Sequence, residues 1–302
     1  MLTHPFVLLT TFSPSLFHPI LSTFQSITDA GRRLSHISLA NTHVAVNQPW
    51  QALHHAHEAT KEPVQMSPTL VDILALGNAG LVEIMIGSYE KARESFHQGI
   101  AYTKLLGAIH FEAWLSMRQA TCALWRGDVK EAAFWANEAW LLSHTAKDGR
   151  TQLEAAIEEV HIAGEAGDIV EADAWYKRAH KLADEHTLTR YRGRMALLRA
   201  YLAARYGDRE SALASIQECM GEIDDGGAER LRLPALALFV YLDAGSSTVV
   251  REALQRERDA QDTLTHSAPN GASGTRFARA TPYRRWLAAG ASHDALTLSW
   301  VW

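Results

Sequence analysis

His54, His55, His57 and Glu58 put four groups able to ligate a metal or move a proton within five residues. On a helix His54, His57 and Glu58 fall at i, i+3 and i+4, one face on which two or three ligands could meet an ion. The run is not HExxH, however, and no second histidine-bearing helix is registered with it, so a surface histidine cluster is the reading and no metal is expected. Glu158-Glu159 and Asp184-Glu185 are paired carboxylates by sequence. Neighbours on a helix point in different directions, so these pairs predict a solvated face rather than an acid and base couple. The other histidines are scattered, with no readable Ser/His/Asp order. Cys122 and Cys219 form no CxxC, which leaves neither a disulfide framework nor a thiolate site. The chain lacks any Gly-Lys pair, so a phosphate-cradling GxxxxGK[ST] loop is excluded. No catalytic residue and no cofactor is therefore expected, and the chain reads as a binding protein rather than an enzyme.

The elements that would position any site must come from a chain of 302 residues, 47% apolar and 21% charged, enough for a sizeable core. Twenty-nine basic against thirty-four acidic side chains give a net charge of −5, no excess with which to neutralise a phosphate backbone. Direct nucleic-acid binding is not expected. The longest apolar run, Leu233 to Leu242, is about half the roughly 20 residues needed to cross a bilayer, so no membrane partner is expected. Phe6 to Leu9 imitates the apolar part of a secretion signal but lacks a basic start, which leaves a reducing cytoplasm as the default.

The organising signal is a repeat. Gly87, Gly127, Gly167 and Gly207 are spaced by forty, each followed five positions later by Ala92, Ala132, Ala172 and Ala212. Twelve after each glycine stands another small residue: Gly99, Ala139, Ala179 and Cys219. One step back, Asn47 with Ala52 and Ala59 predicts an earlier unit; one step forward, Gly245 with Ala253 matches after a one-residue slip. Each unit reads as two helices joined at the glycine, which can close the first helix in the left-handed conformation. Asp128-Val-Lys-Glu131 and Asp168-Ile-Val-Glu171 read as capping boxes for the second, with Ser88 and Asp208 as caps alone. The small columns let helices approach closely. No strand signal is present. No helical pair of this kind can hide both faces alone, so the units must stack: the fold class is all-α, an α-solenoid.

These residues resemble the tetratricopeptide repeat (TPR), in its forty-residue form, over roughly Gly31 to Asp225. Leu76-Gly-Asn-Ala-Gly80 followed by Gly87-Ser-Tyr-Glu-Lys-Ala92 is similar to the LGN…GDYxxA run of that form. The family's tryptophan eleven before the glycine is replaced by Leu76, Ser116, Ala156 and Ala196, and its closing proline by Lys104, His144, Asp184 and Asp224. The alanine-rich units are most similar to the MalT-like TPR region of LuxR-family transcriptional regulators. The resemblance implies a right-handed superhelix of about five to six helical pairs over 30–260. An extension or cap over 1–29 would precede it. A flexible linker and short tail, 261–302, would follow, with Trp286, Trp300 and Trp302 docking against the solenoid's own end. It further implies a non-enzymatic scaffold or sensor in bacterial transcriptional regulation. The alternative is a detached portion of an ATP-dependent regulator without its ATPase and helix-turn-helix.

By the family's geometry the first helix of each unit lines the concave side. This predicts a groove of Trp114, Met117 and Trp125, then Glu154, His161 and Glu165, then Arg194, Tyr201 and Arg205. An aromatic patch would adjoin an acidic and then a basic one, suited to a protein or peptide partner or a small effector with an apolar end and a carboxylate or phosphate end. The tryptophans can equally belong to the core between units and the arginines to a solvated face. Trp135, Trp140 and Trp175, on second helices, are expected to pack. The oligomeric state is left open.

Overall fold

A computed structural model describes residues 29–61, 67–224, 231–242 and 248–291 of the chain. Among these residues there are fourteen α-helices and no strand. They are α1 (Asp29–Ala45), α2 (Pro49–Thr60), α3 (Leu70–Met85), α4 (Tyr89–Leu106), α5 (Ile109–Arg126), α6 (Val129–Ala146), α7 (Gly149–Glu165) and α8 (Ile169–Glu185). After a short 3₁₀ turn, Thr189–Tyr191, come α9 (Arg192–Arg205), α10 (Arg209–Asp224), α11 (Arg232–Tyr241), α12 (Thr248–His266), α13 (Gly271–Ala278) and α14 (Pro282–Ala288). Successive helices pack pairwise from α1/α2 to α11/α12, and the pairs stack as an α-solenoid.

The four glycines at forty-residue spacing occupy equivalent bends between the two helices of a unit, with φ of 78° at Gly87, 91° at Gly127, 80° at Gly167 and 79° at Gly207. Asn47 takes the same place at φ 53°, which establishes the earlier unit; asparagine tolerates the left-handed region better than most side chains. A second column of left-handed residues, Gly107, Lys147 and Thr187, also at forty-residue spacing, turns the chain from one unit to the next. Only one of these three is glycine, so residue type did not advertise it. The small residues do what close packing requires: Ala52, Ala92, Ala132, Ala139, Ala172, Ala179, Ala212 and Cys219 are fully buried.

The caps differ in detail from expectation. The carboxylates of Asp128, Asp168 and Asp208 accept from the amides of Glu131, Glu171 and Ser211 at 3.0, 2.9 and 3.0 Å. The reciprocal half of the box at Asp128 is replaced, because Arg126 pairs with the Glu131 carboxylate. Ser88 makes no side-chain cap bond, since from a similar backbone its hydroxyl is one bond shorter than a carboxylate. A complete capping box stands instead at Thr69 and Asp72, where Asp72 also pairs with Arg33 of α1 at 2.7 Å. Asp128→Ala is expected to lower stability by about 1 kcal/mol, read as a shift in the urea midpoint.

First helices of successive units touch one another, α1 with α3, α3 with α5 and α5 with α7, so they form the inner layer of the curve. The outer helices bury little: α8 hides only Ala172 and Ala179 completely, while most of α7 is covered.

The stretch expected as a flexible linker is helical. Residues 261–266 complete α12, and α13 and α14 follow after a short turn. The glycines that suggested a linker serve packing instead: Gly274 brings α13 against the carbonyl of Thr265, where a Cβ would stand 2.6 Å away. Tyr283, Trp286 and Leu287 are buried with α9 and α11, so Trp286 does dock on the solenoid. The same segment reaches the first units. Trp50 Nε1 donates to the carbonyl of Leu264 at 2.7 Å, the Trp50 and Phe277 rings lie 5.5 Å apart, and Tyr89 donates to the carbonyl of Ala280. Arg284 donates to the carbonyl of Met85 at 2.8 Å. A Cβ on Gly87 would meet the Arg276 carbonyl at 2.9 Å, so this bend needs glycine for space as well as for φ. The C-terminal helices thus clasp the two ends of the stack together. Of the expected extension over 1–29, Asp29 opens α1 and residues 1–28 lie outside the described residues, as do Trp300, Trp302 and the bend at Gly245.

Candidate functional site

The inner layer carries a ladder of buried charges centred on α7. Glu154, Glu158 and His161 follow one another at i, i+4 and i+7, one face of a helix, and are 6%, 2% and 1% exposed. Arg118 of α5 reaches Glu154 at 3.3 Å from one side, and Arg194 of α9 reaches Glu158 at 3.0 Å from the other. Arg150 pairs with Glu154 at 3.3 Å, and the Tyr191 hydroxyl donates to the same carboxylate. His161 Nδ1 lies 3.3 Å from Glu158 Oε2.

Burial by itself would raise both carboxyl pKa values. For Glu154 the guanidinium groups of Arg118 and Arg150 and the Tyr191 hydroxyl prevail and hold it at about 2. For Glu158 His161 and Arg194 do the same, again to about 2. Burial pushes His161 below its ordinary value against the pull of Glu158. Three arginines therefore surround two carboxylates, leaving the inner layer with local positive charge. The Nε hydrogens of Arg118 and Arg194 are buried with no acceptor.

Of the predicted groove residues, the structure brings Glu154, His161 and Arg194 together in this ladder. The others are distributed differently. Met117 is 1% exposed and packs with Ala139 and Ala155, so it belongs to the core between units and not to an open groove. Tyr201 is fully buried because its hydroxyl bonds that of Tyr283, and α14 covers the place where the groove was expected to open. His161 is likewise walled in rather than presented to solvent. Trp114 and Trp125 are half-buried among the residues packing adjacent units. Glu165 and Arg205 are exposed. Trp140 and Trp175 pack edge to face, their ring centres 5.2 Å apart, and Trp135 packs beside His97.

Glu158, expected on a solvated face, is instead buried because Arg194 and His161 close over it, and Arg118, Arg150 and Tyr191 were not anticipated. Arg118 to Glu154 and Glu158 to Arg194 are each 36 residues apart, as are Glu90 and Arg126, which pair at 3.2 Å. Thirty-six is the repeat less one helical turn, the stagger at which neighbouring units meet.

The histidine cluster is a stack between α1 and α2. His36 Nδ1 and His55 Nδ1 are 3.0 Å apart and the His43 ring lies parallel on His55. Burial, then the neighbouring histidines, lower the pKa of His55 to about 4. Glu58 pairs with Lys61. Among the described residues no three His, Cys, Asp or Glu side chains converge on a point where a metal could sit.

Trp114 offers a direct check on its position. A Cβ on Gly77 of α3 would stand 2.2 Å from Trp114 Cη2. Gly77→Ala is therefore expected to cost about 1–3 kcal/mol by overpacking. Gly77→Ala with Trp114→Leu should recover part of that in a denaturant titration, whereas a ring free in the groove would move aside and leave the single variant unaffected.

No protein-family model matches the sequence, and no curated protein matches it. Among solved structures the chain is similar to a Rap protein complexed with competence and sporulation factor. The TM-score is 0.68 at 12% identity, over 91% of this chain and 80% of that one. It is also similar to the apo form of RapI, with TM-score 0.59 at 12% identity over 91% of each chain. Among the described residues no helix is long and apolar enough to cross a membrane. The likeness carries the helical-repeat architecture and nothing specific to the MalT-like form: the chain has the solenoid fold that Rap proteins have.

Proposed function

We propose that this chain is a non-catalytic regulator that receives a peptide or a segment of a protein partner along its inner helical layer. The observation that carries this reading is the ladder on α7, a row of charged groups on the inner side of the stack with more arginine than carboxylate. Arg150 leaves the ladder at its exposed end, where it can take a carboxylate or a backbone carbonyl while the inner pairs fix its position. The fold shared with a Rap protein that is complexed with competence and sporulation factor supports the same reading. The similarity of the forty-residue units to MalT-like repeats supports an output in bacterial transcriptional regulation, and the two unbridged cysteines fit a reducing cytoplasm.

Arg150, whose side chain is 53% exposed, and Arg205 are the charged groups that an incoming segment would meet first. A random linear peptide library selected on the full chain gives the probe. Enriched peptides, titrated calorimetrically, are expected to bind an Arg150→Ala/Arg205→Ala variant roughly tenfold or more weakly than the parent. Equal affinity for both, with the helical content unchanged, would refute the inner-layer site.

A further inference from the structure

A cavity of about 170 Å³ lies where α12, α13 and α14 meet. One wall is Arg258, Gln261, Asp262 and Thr265, which stand at i, i+3, i+4 and i+7 on a single face of α12. Arg284 of α14 faces them, with Leu287 beside it. Arg284 donates to the carbonyls of Met85 and Phe277 at 2.8 and 3.5 Å, and its guanidinium lies 4.0 Å from the centre of the Phe277 ring. It makes no ion pair among the described residues. Burial lowers its pKa to about 10, against the opposing influence of Tyr89 and Glu257. Arg258 donates to Gln255 and to the carbonyl of Gly290, and neither it nor Asp262 has an ion-pair partner among the described residues. Gln261 Oε1 is buried with no hydrogen-bond partner.

A buried cation without a counter-ion and a buried acceptor without a donor are both costly, and here they line one cavity. Each asks for the opposite kind of group. We infer that the cavity binds a small zwitterion of the α-amino-acid class, its carboxylate between Arg258 and Arg284 and its ammonium group on Gln261 Oε1 and Asp262. A simple anion would leave Gln261 unsatisfied, and a phosphate would stand against Asp262. A ligand bound there engages the folded chain and not the unfolded one. Binding should therefore raise the unfolding temperature.

The test uses the full chain with each of the twenty α-amino acids at millimolar concentration, followed by thermal unfolding and titration calorimetry. Acetate, inorganic phosphate and methylamine serve as part-ligands. At least one amino acid should bind and raise the unfolding midpoint, with each part-ligand weaker by roughly tenfold or more. Arg258→Ala and Gln261→Leu should weaken that amino acid by a similar factor, while Lys130→Ala, at an exposed position on α6, leaves it unchanged. Should Arg258→Ala fail to fold, Gln261→Leu and Asp262→Asn carry the comparison. Absence of amino-acid binding, binding untouched by these variants, or acetate or phosphate binding as tightly as the best amino acid would overturn the inference.

Discussion

Arg194→Ala is expected to lower the stability of the chain by about 3–5 kcal/mol, the cost of leaving a buried carboxylate without its cation. Glu158 is 3% exposed in its side chain and Arg194 12%, so water cannot take the place of the lost guanidinium. His161 remains beside Glu158, but burial disfavours its charged form, so it replaces only part of the interaction. The informative partner is Arg194→Met combined with Glu158→Gln, which removes both charges. That double variant should recover most of the loss, because neutral replacements of a buried pair are often close to neutral in stability. Urea titrations of the parent, the single variant and the double variant measure the cycle. A loss below about 1 kcal/mol for Arg194→Ala would place the side chain in solvent, and with it the inner ladder.

Glu83 gives the second large effect, with the opposite sign. It is 7% exposed on α3, its carboxyl accepts from Ser95 at 3.1 Å, and Lys91 and Glu94 are its charged neighbours. Burial raises its pKa to about 7, with the Ser95 hydrogen bond opposing. The folded pKa is above the unfolded one, so the contribution of the neutral acid is complete below about pH 4.5. It is lost as pH rises through 7. Glu83→Gln holds the neutral form at every pH. The variant should match the parent near pH 4.5 and exceed it by about 3 kcal/mol at pH 8, the shift of some 2.5 pH units converted at about 1.4 kcal/mol each. Thermal unfolding at the two pH values decides it: a difference independent of pH would mean that folding leaves the Glu83 pKa unshifted.

The repeat made most of the solenoid legible, because a glycine needing positive φ and an alanine needing close contact are each constrained by local geometry. Gly127 and Ala132 could be read without knowing anything about their neighbours. The inter-unit turns at Lys147 and Thr187 escaped, since residues of those types carry no sign of a left-handed backbone. The site was legible only in part. Glu154, His161 and Arg194 fall on inner positions of their helices, but whether such a position opens to solvent depends on what lies across from it. Tyr201 was placed in the groove because its helix position is an inner one. It is buried because Tyr283, 82 residues later, covers it, and no periodicity connects the two. The glycines of 271–274 mimic a linker, while the tight approach they permit is visible only with the opposing carbonyl in place.

The bonds from Trp50, Tyr89 and Met85 to the last helices change what kind of object the solenoid is. A stack in which every unit leans only on its neighbours can fray from either end and lengthen like a spring. Here the two ends are hooked to each other, so the coil cannot stretch, and no terminal pair can peel away, until the hook is undone. Loss of order should then spread through the whole coil at once rather than unit by unit, and a disturbance at the hook should be felt along its full length.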